Sequence, residues 1–126
     1  MKTFLATLSV LGALAVALPA SAQSAPRCTH DSLAVDGTAL AVSVCATPGG
    51  KAGSLAVTET FKSATASFVH STSLDVLPGT DISRSVDDVP LDRIGSARVL
   101  HLTLVARNGV ASIEHALLLP GAQVLK

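Results

Sequence analysis

The sequence predicts an all-β fold: a small antiparallel β-sandwich of immunoglobulin-like architecture, with about seven or eight strands and an N-terminal disulfide hairpin. Three observations predict it. Asp36-Gly37 and Asn108-Gly109 each lie between apolar runs, and such dipeptides form two-residue hairpin turns because both positions must take positive φ. Strand signals bounded by Gly, Pro, Asn or Asp recur about every 8–12 residues. Ser and Thr are spread through the segments that lack Gly and Pro, and they compete with helical backbone bonding.

Met1–Ala22 reads as a secretory signal peptide. Lys2 supplies the positive start, Phe4–Leu18 the apolar run, and Ala20-Ser21-Ala22 a small-x-small cleavage site after Pro19. The apolar run is shorter than the roughly 20 residues a membrane span needs. Cleavage after Ala22 leaves residues 23–126, long enough for one domain with one core and too short for two. That segment has eight Lys plus Arg, since Lys2 is removed from nine, against nine Asp plus Glu. A charge so close to zero, without a basic run, provides no electrostatic reason to bind nucleic acid or an anionic membrane. No membrane insertion is expected after cleavage, and the expected location is periplasmic or secreted.

The first hairpin follows a short leader, Gln23–Arg27. A two-residue turn makes Val35 face Thr38, so paired residue numbers add to 73; Cys28 and Cys45 add to the same 73. Counting outward from the hydrogen-bonded Val35/Thr38 pair places the cysteines on a non-hydrogen-bonded pair, where Cα atoms come close enough for a disulfide. Strands are expected near Cys28–Val35 and Thr38–Ala46, followed by a loop over Thr47-Pro48-Gly49-Gly50-Lys51.

Ser54–Phe61 and Thr65–Ser71 read as the next two strands, turning around Lys62-Ser63-Ala64. Leu55, Val57 and Phe61 share one alternating face, with Glu59 intruding. Leu74–Leu77 reads as a short strand. Asp81–Val86 reads as an edge strand, and Asp87–Ser96 as a long connection holding one helical turn over Leu91–Ile94 after Pro90. The second clear hairpin is Ala97–Arg107 with Val110–Leu119, where pairs add to 217. Leu104 then faces Ile113, Leu102 faces His115, and Leu100 faces Leu117. Ala122–Lys126 is expected to be a tail. Phe61 and Phe68 are the only aromatics after the signal segment, so the core must be aliphatic.

Little in the sequence carries chemistry. Four histidines are the metal suspects, but the hairpin register sends His101 and His115 to opposite faces, with His115 in an apolar row as a core histidine. His30 and His70 have no sequence reason to converge. Asp81, Asp87, Asp88 and Asp92 form an acidic region that fits no calcium-loop spacing, and Arg84, Arg93 and Arg98 lie nearby to offset it. No Gly-x-Ser-x-Gly elbow, phosphate loop or Cys-x-x-Cys pair is present. Cys28 and Cys45 are therefore assigned to a structural disulfide, and no catalytic, cofactor-binding or metal-ligating residues and no cofactor are assigned. With no Trp or Tyr, platforms for stacking sugars or bases are unexpected. The expected function is a non-enzymatic protein-interaction or structural module of the cell envelope, meeting other envelope proteins through the Asp81–Val86 edge. The alternative is a periplasmic small-ligand or metal-binding module.

Overall fold

The computed structural model describes residues 25–126, so Met1–Ala22, expected to be a signal peptide, lies outside the described residues. Two antiparallel four-stranded sheets pack face to face. The first holds β1 (Arg27–Val35), β2 (Thr38–Pro48), β3 (Ser54–Lys62) and β4 (Ser67–Asp75) in chain order. The second holds β5 (Ile82–Pro90), β6 (Val99–Arg107), β7 (Val110–Leu119) and the two-residue β8 (Gln123–Val124), also in chain order. The sandwich architecture is the expected one. Its topology is simpler than an immunoglobulin domain's, because each sheet is a meander and the chain crosses between layers at the β4–β5 connection. Among the described residues, no helix is long and apolar enough to cross a membrane.

Both predicted tight turns form. Asp36, Gly37, Asn108 and Gly109 all adopt positive φ, from 49° to 80°. The first hairpin holds the expected register over its whole length, with Val35 opposite Thr38 and Cys28 opposite Cys45. The two cysteines form a disulfide across a Cα–Cα distance of 4.0 Å. Leu33, Val35, Leu40, Val42, Val44 and Ala46 point inward, so the disulfide lies on the outer face of the sheet.

The core fills the space between the layers. Leu55, Val57 and Phe61 of β3 and Phe68 and Leu74 of β4 meet Leu100, Leu102 and Leu104 of β6 and Ala111, Ile113, Ala116 and Leu118 of β7. Phe61 and Phe68 are opposite each other in the ladder and stack, with ring centroids 4.8 Å apart.

Four local expectations change. Asp87–Pro90 is the second half of strand β5, not a connection, because Val89 alternates inward into the core and continues the period of two. The helical turn is a 3₁₀ turn over Asp92–Ile94, closed by Gly95 in the left-handed region. Leu74 belongs to β4 and fills the core there, so no separate strand covers Leu74–Leu77. The C-terminal tail is ordered, with β8 pairing against Leu117 and Leu118 and Leu125 donating its N–H to the Ala116 carbonyl.

The second hairpin departs from its expected register at one point. Leu104 faces Ile113 as predicted, but a β-bulge follows and Thr103 faces His115. Beyond it Leu102 faces Ala116 and Leu100 faces Leu118, each one residue later than the turn alone dictates. The bulge exchanges the faces of β7. It buries Ala116 and Leu118 and turns His115 out to solvent, which removes His115 from the core row. Burying an alanine and a leucine in place of a histidine and a leucine spares the core an imidazole that would need a partner.

Candidate functional site

The two long sides of the sandwich are closed in different ways. On the β1 side, side chains tie the layers together. Arg27 donates to the Asn108 carbonyl at 2.9 Å, Thr29 donates to the Ala111 carbonyl at 2.8 Å, and Lys126 pairs with Asp31. On the other side the edge strands β4 and β5 lie next to each other, and a polar cluster sits just inside them.

That cluster is Glu59, His70 and Asp87. Strand alternation positions all three. Glu59 occupies an inward position of β3 between Val57 and Phe61, and its ladder partner on β4 is His70. Asp87 occupies an inward position of β5, in the opposite layer. His70 Nδ1 stands 3.0 Å from Glu59 Oε1 and 3.1 Å from Asp87 Oδ2, within hydrogen-bond reach of both carboxyl groups. Glu59 is fully buried and Asp87 nearly so, while the His70 side chain keeps 31 % of its surface exposed. Among the described residues, Glu59 Oε2 is the one buried side-chain polar atom without a hydrogen-bond partner. Burial pushes the Glu59 carboxyl up to about 9, and the hydrogen bonding and negative charge of the adjoining Asp87 push the same way.

The exposed edge of His70 opens on a cavity of about 170 Å³, lined also by Phe68, Val69, Pro90, Asp92 and Arg93. One ligand atom from each of Glu59, His70 and Asp87 lies within 4.8 Å of the others; no other such trio of His, Cys, Asp or Glu occurs among the described residues.

The remaining suspects are separate. His30 meets Ser43 at 3.0 Å on the outer face of the first sheet. His101 pairs with Asp88 at 2.6 Å on the outer face of the second, and the bulge turns the exposed His115 to that same face, so the two do not point to opposite faces as the turn register predicts. The acidic region does not act as a unit, because Asp87 and Asp88 point to opposite faces of β5. Two of its three expected arginine partners are engaged elsewhere: Arg84 makes a two-pronged pair with Glu114, and Arg98 pairs with Asp36. Sequence reasoning missed the cluster. The available signal was Glu59, a carboxylate in an otherwise apolar alternating row.

The second feature of this side is the free β5 edge. Arg107 and Val110 flank a two-residue turn and form a hydrogen-bonded pair, so alternation along β6 directs the backbone groups of Leu100, Leu102, Leu104 and Ala106 toward β5. Their partners Val89, Asp87, Ser85 and Ser83 take those bonds. The backbone groups of Arg84, Val86, Asp88 and Pro90 therefore point to the open edge. Pro90, which lacks an N–H, occurs in this outward set, where it costs no ladder bond. Val86 is 55 % exposed and is one of four exposed large apolar residues among the described residues.

The chain matches no protein-family model, and no curated protein and no solved structure is significantly similar to it.

Proposed function

We propose that this chain is a non-enzymatic module of the cell envelope, exported to the periplasm or beyond, that works by protein contact at the free edge of β5. The signal segment Met1–Ala22 and the Cys28–Cys45 disulfide support export to an oxidising compartment. The observation that carries the contact reading is the β5 edge. Its outward N–H and C=O groups at Arg84, Val86 and Asp88 form an unpaired ladder, and the exposed Val86 gives that ladder an apolar side chain. Such an edge is a template for an added strand, where main-chain bonds supply affinity. The occupant is an extended segment of another envelope protein.

The test is Val86→Pro. It removes one outward N–H and leaves the bonds to β6 in place, whereas Ser83 is buried and its hydroxyl accepts the Leu77 N–H, so proline there would damage the fold. Crosslinking in the native envelope, read by mass spectrometry, identifies what wild type captures at β5. The variant is expected to keep its melting temperature and lose that partner. Capture of the same partner at the same yield by the variant would rule the edge out.

A further inference from the structure

We propose that Glu59, His70 and Asp87 form a binding site for one divalent first-row transition-metal ion, of the zinc or manganese class, that bridges the two sheets.

The geometry is that of a coordination shell. Ligand bonds of roughly 2.0–2.2 Å place neighbouring donor atoms roughly 3.0–3.5 Å apart. Nδ1 of His70 stands 3.0 Å from Glu59 Oε1 and 3.1 Å from Asp87 Oδ2. One donor atom from each of the three residues lies within 4.8 Å of the others, and each residue sits on a strand rather than a loop.

Charge and hydrogen bonding point the same way. Two carboxyl groups turned inward beside an apolar core are costly unless each polar atom is matched. A dication with two carboxylates and a neutral imidazole has no net charge. Glu59 is 0 % exposed, and its Oε2 has no hydrogen-bond partner among the described residues. Buried polar atoms in folded proteins are normally satisfied, and an unsatisfied one calls for an occupant. A carboxylate that binds a metal through either or both oxygens meets that need.

The donor set selects the class of ion. Imidazole nitrogen suits zinc and its neighbours, and carboxylate oxygen suits manganese as well. Calcium prefers six to eight oxygens, which one histidine and two carboxylates do not offer. Entry is from the His70 side, where the half-buried ring borders the cavity between β4 and the 3₁₀ turn. Three protein ligands leave further coordination positions for water.

The other histidines provide an internal control. His30 and His101 lie on the outer faces, each with a single polar neighbour, Ser43 and Asp88. Surface binding there would be weak and indifferent to Glu59.

The experiment is calorimetric titration of the chelator-treated, disulfide-intact protein with zinc, manganese and calcium salts separately, beside thermal denaturation. Zinc or manganese is expected to bind with one-to-one stoichiometry. At a hundredfold excess over its dissociation constant it should raise the melting temperature by roughly 10 °C. Glu59→Gln retains shape and neutralises the buried group, so it folds. It should weaken binding by about tenfold or more, a loss of the order expected when a metal site's supporting groups are removed. His70→Gln is the second variant and should do the same. The His30→Ala, His101→Ala double variant should bind like wild type. Failure of both zinc and manganese to bind saturably would overturn the proposal. So would binding that survives Glu59→Gln and His70→Gln unchanged, or calcium binding as tight as zinc.

Discussion

Burial of Glu59 makes stability depend on pH. In metal-free protein its carboxyl is held up to about 9, against 4.5 for an ordinary glutamate, with His70 facing it from β4 and Asp87 from β5. The folded state thus keeps a proton that the unfolded chain releases. Between pH about 4.5 and about 9 the unfolded state binds fewer protons, so stability falls as pH rises. The contribution is complete below about 4.5 and lost by about 9. Glu59→Gln should remove this slope and stabilise the metal-free protein at pH 8, by an amount on the order of a few kcal/mol. Urea denaturation at pH 5 and pH 8 measures both effects, and an unchanged slope in the variant would contradict the assignment. Gly109, at φ 78°, makes a smaller demand. Gly109→Ala is expected to cost about 1 kcal/mol, because a Cβ disfavours the left-handed region that the turn requires.

The hairpins act at the scale of elements. In the first, the turn and the register alone place Cys28 opposite Cys45, and the structure keeps that pairing. Replacing both cysteines with serine should destabilise the protein by about 2–3 kcal/mol in chemical denaturation. A strong local turn already brings the strand ends together, which argues for the lower end of that range. In the second hairpin the turn specifies the pairs from Arg107/Val110 up to Leu104/Ile113, and the bulge shifts every pair beyond. Turn chemistry acts locally, whereas the bulge answers to what lies across the sandwich. The exposed His115 should therefore tolerate alanine within about 0.5 kcal/mol, as surface positions do. Ala116→Leu should cost about 1–3 kcal/mol, because it overpacks a fully buried site. Equal melting temperatures for the two variants would place the bulge elsewhere. The strand β5 was half legible. Ile82 and Val86 alternate with polar residues, but Asp87, Asp88 and Pro90 read as a connection until Val89 and Asp87 are seen to face inward.

At the scale of the whole molecule, two meanders stack and each depends on the other for its core. Leu102 is fully buried on the inner face of β6. Leu102→Ala should cost about 2–5 kcal/mol in thermal or chemical denaturation, a penalty that combines lost transfer energy with a cavity between rigid layers. The long sides of the sandwich differ in kind. The β1 side is held by Arg27, Thr29 and Lys126, and the β4–β5 side by the His70 bridge to Glu59 and Asp87. The sequence by itself determined the all-β class, the two hairpin turns, the disulfide and an aliphatic core, because each follows from residues near one another along the chain or from a period of two. Its one trace of the site was Glu59 in an apolar row. Which strand lies over which, where β7 bulges, and that Asp87 closes over Glu59 and His70 were decided only by tertiary structure. These depend on packing between layers joined at the β4–β5 connection, and no turn or local period encodes the distance between residues that meet across a core.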